Sequence, residues 1–232
     1  MKKIVKDCQL CKIRSSSIFS SINEQDVKKL NNCKTTHEYK RGQVIFYEGN
    51  PSLAVYCVHS GIVKLFKTGY SGEEFVIRLL GPGEIIGFRA LLADEHFAAS
   101  AQAVSDTQIC IISKEDFLDV LNSSTELSFN VMAKLAVDLR IAEEQFLSRA
   151  QETVKQRTAR MLIQLLETSN ELSESDSRIS VPILRSEMAQ VVGTTPETLS
   201  RTLRGLAQKG IIKLTRSDIS VTEADKLRSI IG

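Results

Sequence analysis

The chain has 232 residues, of which 42% are hydrophobic and 25% charged, and its formal net charge is only +2. This is the ordinary mix of a soluble globular protein with one large or two small domains, so any nucleic-acid footprint must be a local basic surface. No apolar run approaches the ~20 residues of a membrane helix and none follows the basic start as in a secretory signal, so we expect a cytoplasmic protein without a membrane partner.

The first predicted elements are β-strands. Residues 40–113 contain eight glycines among short apolar runs. The runs predict strands at residues 44–47, 55–58, 62–66, 75–80, 85–87 and 109–112. Short strands separated by turn residues at close spacing are typical of a sandwich, a barrel or a β-roll.

Two helices are predicted after the strands. Ser113 can cap a helix that begins at Lys114, and residues 123–125 start a longer one. Apolar residues recur along the longer helix at steps of three and four, which is typical of a dimer seam: Met132, Leu135, Leu139, Ala142 and Phe146. The seam is only two heptads long, so packing on the chain's own barrel is the alternative. Since Ala142 puts no charge in the seam, we expect a homodimer that forms without a signal.

A helix-turn-helix is predicted after a helix at residues 154–167 and a polar loop that ends near residue 180. Its first helix has Ser186 as the expected cap and an apolar face of Met188, Ala189 and Val192. Gly193 is placed to end that helix in the left-handed conformation. Thr194 is expected to cap the second helix, with Glu197 completing a capping box and Pro196 in the first turn.

The second helix of this motif separates into two faces. Leu199, Leu203 and Leu206 should pack inward, whereas the other face is polar. Residues 185–216 hold six basic and two acidic residues, a local excess of positive charge. Arginine can bind guanine, glutamate can accept from cytosine, and serine reaches base or phosphate, so this face is a candidate for reading DNA. A helical hairpin with a solvated face is the alternative.

The chain ends in a predicted β-hairpin wing, residues 211–214 and 219–221, and a short helix from Thr222. Its basic residues, Lys213 and Arg216, are candidates for phosphate contacts. The complete set of predicted DNA-binding residues is Thr194, Thr195, Glu197, Ser200, Arg201, Arg204, Lys213 and Arg216.

The order of strands, seam helix and winged helix resembles the CRP/FNR superfamily of bacterial regulators over nearly the whole chain. Glu197, Ser200 and Arg201 are similar to the E-x-x-S-R recognition helix of the FNR branch, whereas the CRP branch usually has glycine at the position of Ser200. The resemblance implies an α+β fold with a β-roll or jelly-roll sensor barrel (1–123), a dimerisation helix (124–150) and a winged helix-turn-helix (151–232). It also implies a dimer that reads palindromic TTGAT-like half-sites in double-stranded DNA and works with RNA polymerase.

The resemblance also locates an effector pocket. The segment from Gly83 to Phe88 is similar to the family's barrel segment near the effector, which makes Gly83, Glu84, Gly87, Phe88 and Arg89 the candidate pocket residues. In cyclic-AMP binders an adjacent Arg-Ser pair follows and holds the phosphate. The corresponding residues 97–100 of this chain contain no arginine, and burying an unpaired anion is costly, so we do not expect cyclic AMP to bind.

The chain has five cysteines, which should be reduced thiols or metal ligands in the cytoplasm. Cys8 and Cys11 resemble the N-terminal C-x-x-C of oxygen-sensing FNR proteins, Cys110 resembles their distant ligand, and Ser17 takes the place of their third cysteine. An iron–sulfur cluster on Cys8, Cys11 and Cys110 would therefore need an oxygen ligand, Cys33 or Cys57 to complete it. Two alternatives are redox sensing by bare thiols at Cys8 and Cys11, and an ordinary core role for Cys110.

Two classes of protein are the alternatives to a regulator. An enzyme is not indicated, because the sequence has no nucleophile elbow, no phosphate-binding glycine loop with lysine and no paired-histidine metal motif. A cyclic-nucleotide-binding module without DNA binding would leave residues 193–204 without a role. We therefore predict a dimeric, sequence-specific transcription regulator controlled by a signal sensed in the barrel.

Overall fold

The computed structural model describes residues 7–69, 72–170, 178–179, 183–215 and 219–231. The chain divides into two compact units, one built from residues up to 67 with 79–141, the other from 68–78 with residues from 142 onward. The strands are β1 (Thr35–Tyr39), β2 (Val44–Phe46), β3 (Ala54–Ser60), β4 (Val63–Thr68), β5 (Glu74–Leu80), β6 (Ile85–Ile86), β7 (Ser100–Ala103), β8 (Thr107–Ser113), β9 (Arg178–Ile179), β10 (Ile212–Leu214) and β11 (Ile219–Val221).

The helices follow the same chain order. A 3₁₀ helix spans Lys12–Ser16. The α-helices are α1 (Glu24–Cys33), α2 (Phe88–Leu92), α3 (Lys114–Ser123), α4 (Thr125–Gln151), α5 (Val154–Asn170), α6 (Arg185–Val192), α7 (Pro196–Gln208) and α8 (Ala224–Arg228). None of the helices among the described residues is both long and apolar enough to cross a membrane.

Two four-stranded sheets form the N-terminal domain, with strand orders β1-β8-β3-β6 and β2-β7-β4-β5. Apolar side chains from both sheets meet in one core, which includes Phe46, Val63, Leu80 and Ile109. Phe97 stacks on Phe46 with ring centroids 4.0 Å apart. The predicted α+β fold with a β-roll sensor barrel is confirmed.

The helices α1 and α3 and the start of α4 pack on the first sheet. Val27, Phe117 and Leu127 are almost completely buried there, against Val55 and Ile112 of the sheet. The cap predicted for α3 is confirmed, since Ser113 Oγ accepts a hydrogen bond from the backbone N–H of Asp116 at 3.1 Å.

The predicted strands are present within a residue or two of their expected bounds, but β1, β7 and the two-residue strand β9 were missed. β1 is a mostly exposed edge strand of the sequence Thr-Thr-His-Glu-Tyr, which lacks a buried alternation. β7 consists of small and polar residues, Ser100 to Ala103, that have low strand propensity. Its central position between β2 and β4 overrides that propensity.

The second unit holds the helix-turn-helix. Met161, Leu162 and Leu165 of α5 are buried. The buried apolar residues of α6 and α7 are Met188, Ala189, Val192, Leu199, Leu203 and Leu206. A three-stranded antiparallel sheet, in the order β10-β11-β9, belongs to the same unit: β9 precedes α6 in the chain, and β10 and β11 follow α7. The polar loop predicted before residue 180 lies largely outside the described residues.

Candidate nucleic-acid interface and sensor cavity

The turn between α6 and α7 is built by Gly193. This residue has φ 69° and ψ 54°, the left-handed conformation that ends a helix. The next N–H, that of Thr194, donates to Ala189 O at 2.9 Å, so Thr194 belongs to the end of α6. Met188, Ala189 and Val192 are buried, as predicted.

Both predicted helix caps of this motif were wrong. The cap of α6 is not Ser186, because the helix begins at Arg185 and Glu187 Oε2 accepts from the N–H of Leu184 at 2.9 Å. The cap of α7 is not Thr194 but Thr195, whose hydroxyl accepts from the N–H of Thr198 at 3.3 Å.

The shift of the cap of α7 by one residue has a consequence for Glu197. The third residue after Thr195 is Thr198, so Glu197 does not form the predicted capping box. Its carboxylate lies on the exposed surface of the helix instead.

The two faces of α7 separate as the sequence predicts. Leu199, Leu203 and Leu206 are each at most 1% exposed and anchor the helix. The opposite face carries an acceptor, a hydroxyl and two cations: Glu197, Arg201 and Arg204 are exposed, and Ser200 is half-buried. This gives the face donors and acceptors of the kind that bind base edges in the major groove. We call these four residues the recognition face.

The remaining predicted DNA contacts surround α7. Thr194 and Thr195 lie at its N-terminus, where backbone N–H groups favour phosphate. The wing forms as an antiparallel pair in which Lys213 opposite Ser220 is exposed. Arg216 lies outside the described residues.

Gly193 provides a test of the turn that is independent of DNA. A Cβ at Gly193 would meet nothing within 4 Å, so Gly193→Ala should destabilise the fold by about 1–2 kcal/mol through the left-handed backbone alone. Gly205→Ala is the matched control, because Gly205 lies within α7 with equal space, and it should stabilise by about 0.5–1 kcal/mol. Urea unfolding followed by circular dichroism measures both, and equal effects of the same sign would contradict the assignment.

The predicted seam of α4 is largely exposed along the chain's own surface. Met132, Leu139 and Phe146 are 53%, 62% and 79% exposed, and Ala142 is also exposed. Leu135 is half-buried and packs on the core beneath α4. Three further large apolar residues of α4 are exposed and lie outside the predicted seam: Phe129, Val137 and Leu147.

A cavity of about 60 Å³ lies on the outer side of the first sheet, between β3, β8 and the chain before α1. Four thiols line it, those of Cys8, Cys11, Cys57 and Cys110, together with His59, and we call it the thiol cavity. Cys57 and Cys110 are register partners on β3 and β8. Cys11 Sγ lies 3.6 Å from His59 Nδ1, within hydrogen-bond distance for sulfur.

The thiols of this cavity differ in their pKa. Burial alone would raise the pKa of Cys11, but hydrogen bonds from His59 and the backbone near Arg14 outweigh it and lower the pKa below its ordinary value. Burial, followed by the nearness of the other thiols, raises the pKa of Cys57 well above its ordinary value. Burial likewise raises the pKa of Cys110. Of these three thiols, Cys11 therefore ionises most readily.

Sequence reasoning undervalued two residues of the cavity. Cys57 was only one of several ways to complete a ligand set, and His59 showed no metal spacing. Their positions two apart on β3 place both side chains on one face of the strand. That spacing was the available signal, but the pairing of β3 with β8 was needed to use it.

The residues predicted for the effector pocket lie in different surroundings. Gly83 lines the thiol cavity, and Glu84 forms an ion pair with Lys134 of α4 at 2.6 Å. Gly87 ends β6 and caps α2. Phe88 is buried in the core beneath α4, and Arg89 is exposed.

The side chains that line the thiol cavity are the donors that a metal site would use. Four thiols and an imidazole are sufficient in number and kind for an iron–sulfur cluster. However, no three His, Cys, Asp or Glu side chains of the described residues come close enough together to hold a metal ion. In this conformation the donors therefore do not fit, and Cys8, Cys11 and Cys110 as metal ligands stay a prediction.

The fold and the recognition face define a class: a transcription regulator with a sensor domain and a winged helix-turn-helix. Comparison with known families supports this class for the N-terminal and for the C-terminal domain. Residues 36–124 match the cyclic nucleotide-binding domain, and residues 156–230 match the Crp-like helix-turn-helix domain.

Individual relatives extend the match over the whole chain. The cyclic AMP receptor protein of Thermus thermophilus is 33% identical over 94% of this chain and 98% of its own. The anaerobic regulatory protein of Pasteurella multocida is 25% identical over 97% and 82%. The structure of FixK2 from Bradyrhizobium japonicum shares the fold, with a TM-score of 0.77 at 22% identity over 86% and 98%.

The chain belongs to the CRP/FNR superfamily of DNA-binding transcription regulators. Dimerisation and the sensing of a signal by the N-terminal domain fit this family. Regulation of transcription, rather than catalysis, is the activity of its members.

Proposed function

We propose that this protein binds, as a homodimer, palindromic DNA with TTGAT-like half-sites, and that α7 of each copy reads one half-site. The observation that carries the proposal is the recognition face. Its polar groups are held in place by three leucines that are almost completely buried on the other side of the same helix. The four residues of the recognition face stand at positions i, i+3, i+4 and i+7, so they lie on one side of the helix and can enter one groove of DNA together.

Each side chain of the recognition face suits a part of the half-site. The guanidinium of Arg201 can bind O6 and N7 of the guanine in TTGAT, and the carboxylate of Glu197 can accept from N4 of the cytosine on the opposite strand. Ser200 reaches a neighbouring base or phosphate. Arg204 is steadied along the helix, because its Nε donates to Ser200 O at 3.3 Å, and suits a phosphate.

Further contacts fix the helix on the DNA backbone. The N-terminus of α7, with Thr194 and Thr195, can hold a phosphate through its N–H groups. Lys213 of the wing supplies a positive charge to the adjacent backbone, and Arg216 is proposed for the same role.

The long helix α4 is proposed to pair with α4 of a second copy through the seam from Met132 to Phe146. Two half-sites one helical turn apart require recognition helices ~34 Å apart, so a small change in the seam would decide whether both bind. A signal sensed in residues 1–123 would act by this route, the dimerisation helix being 124–150 and the DNA-binding domain 151–232. RNA polymerase is the proposed partner at the promoter.

A gel-shift titration tests the DNA assignment. The duplex carries two inverted TTGAT half-sites, and the control duplex has the same composition with both half-sites scrambled. At a fixed salt concentration near physiological, we expect the palindrome to bind at least about a thousandfold more tightly. Equal affinity for both duplexes would contradict sequence-specific reading by the recognition face.

Cyclic AMP is not the proposed effector, although one relative is named for it. The core between the two sheets holds the stacked rings of Phe46 and Phe97 among buried aliphatic side chains, and residues 97–100 supply no arginine for a phosphate. A ligand that binds only the folded state increases the free energy of unfolding by about 2.7 kcal/mol when its concentration is a hundred times its Kd, and Tm rises as a result. We expect no change in Tm with millimolar cyclic AMP, and the palindromic duplex as positive control should raise it. A rise with cyclic AMP that saturates would contradict this view.

A further inference from the structure

The thiol cavity holds a pair of cysteines arranged for reversible oxidation. We propose that a hydroperoxide entering this cavity oxidises Cys11 and that Cys8 then closes a disulfide with it. The thiol–imidazole contact, the turn that joins the two cysteines and the cavity itself carry this proposal. No metal takes part.

Cys11 is the residue that meets the oxidant. Its Sγ lies 3.6 Å from His59 Nδ1, and an imidazole at that distance can take the thiol proton or stabilise the thiolate. The cavity of about 60 Å³ exceeds the volume that a single water needs, ~10–15 Å³ on the same kind of measure. A small hydroperoxide therefore has room beside the sulfur.

Cys8 is the partner within reach. The N–H of Cys11 donates to Cys8 O at 3.4 Å, and a turn closed in this way keeps the two Cα atoms within ~7 Å. Disulfides bridge Cα atoms ~4.4–6.8 Å apart, so a small tightening of the turn suffices. Asn31 holds this end of the turn, since its Oδ1 accepts from the N–H of Cys8 at 2.8 Å.

The other two thiols of the cavity lack this arrangement. Cys57 and Cys110 lie opposite each other within the strands β3 and β8, where the sheet fixes their backbones. Cys110 has Thr36 as its neighbour, with Oγ1 3.8 Å from the sulfur, and the imidazole contact belongs to Cys11.

The chemistry balances in two steps. The thiolate of Cys11 attacks the terminal oxygen of the hydroperoxide, the O–O bond breaks, and the leaving alkoxide or hydroxide takes the proton from His59. The product is a sulfenic acid at Cys11 and an alcohol or water. The Cys8 thiol then attacks that sulfur, an S–S bond forms, and the sulfenic oxygen leaves as water with the Cys8 proton.

The turn from Cys8 to Cys11 is connected to the long helix α4. The chain after Cys11 continues through the 3₁₀ helix to Ile18 and Ser21, whose backbone O and Oγ accept from Asn130 Nδ2 of α4 at 2.7 and 3.0 Å. A disulfide that tightens residues 8–11 would therefore act on a segment that α4 holds. This regulatory half rests on the proposed function, whereas the thiol chemistry does not.

Peptide mapping tests the chemistry on the full chain. Protein reduced without oxygen and freed of reductant is treated with hydrogen peroxide and alkylated, and its mass is measured. The disulfide forms by the loss of two hydrogen atoms, so we expect two fewer alkylated cysteines per chain than in the reduced protein. We also expect a peptide that links Cys8 to Cys11. Cys8→Ser should accumulate a sulfenic acid at Cys11 that a cyclic diketone traps, and Cys11→Ser should give neither product.

Two further variants sharpen the result. Cys33→Ser is the matched control and should react as the native protein does. His59→Gln should react about three- to tenfold more slowly. A link between Cys57 and Cys110, equal reactivity of Cys11 and Cys33, or an unchanged rate in His59→Gln would overturn the proposal. So would iron with a brown absorption band in protein purified without oxygen that Cys8→Ser lacks, because the thiols would then be cluster ligands.

The regulatory half is measured on the TTGAT palindrome. Oxidised and reduced Cys33→Ser protein should differ at least about fivefold in affinity for it. An unchanged affinity would overturn this half while leaving the mapped disulfide intact. Failure of the reduced protein to prefer the palindrome would instead count against the proposed function.

Discussion

Arg201→Ala is expected to weaken binding to each TTGAT half-site by about 1–3 kcal/mol and to relax base choice at one position. The guanidinium is exposed on α7. The methyl group of alanine has no donor for the two acceptors of a guanine. The measurement is a titration against the palindrome and against the three duplexes in which that guanine pair is replaced. The native protein should discriminate among the four duplexes and the variant should not.

Lys213→Ala is the comparison that separates base reading from phosphate contact. It should weaken binding to all four duplexes alike and lower the slope of log affinity against log salt by about 1. Lys226→Ala, an exposed lysine of α8 outside the proposed interface, is the matched control and should leave both quantities unchanged. Equal losses on all sequences for Arg201→Ala and Lys213→Ala would refute the division of roles.

Leu139→Glu is expected to break the dimer. Leu139 is exposed in the single chain at the centre of the seam, so the substitution should not disturb the chain's own core. In a dimer it would bury two like charges without partners, which costs at least about 3 kcal/mol and raises the dimer Kd about a hundredfold or more. Sedimentation equilibrium at micromolar concentration measures the change, and binding to the palindrome should fall with it.

Val137→Glu is the control for this experiment. Val137 is also an exposed apolar residue of α4, but at ~100° per residue it lies on the side of the helix opposite Leu139 and Phe146. The Val137 variant should remain a dimer. A native protein that sediments as a monomer without any signal, or a Leu139 variant that sediments as a dimer, would contradict the seam.

The helix-turn-helix could be predicted well from the sequence because its signals are local. Gly193, the three leucines of α7 and the short apolar runs of the wing each report on their immediate neighbours, and the structure confirms them. The errors in this region are also local. Thr194 and Thr195 are adjacent and both can cap a helix. The sequence does not decide which of them belongs to the end of α6 and which begins α7.

The thiol cavity could not be predicted in the same way. Cys11 and His59 are 48 residues apart, and their contact exists only because the chain before α1 lies against β3. Cys57 and Cys110 meet through the register of β3 with β8, which depends on the pairing of the whole sheet. An edge strand such as β1, with a polar sequence, gives little local signal for that pairing.

The most direct test of the central claim is a selection of duplexes from a random library by the native protein. The account predicts enrichment of two inverted TTGAT-like half-sites with their centres about 10 base pairs, or one helical turn, apart. The same selection with Arg201→Ala should lose the guanine of each half-site. Enrichment of no motif at all by the native protein, under salt at which it binds DNA, would contradict the account.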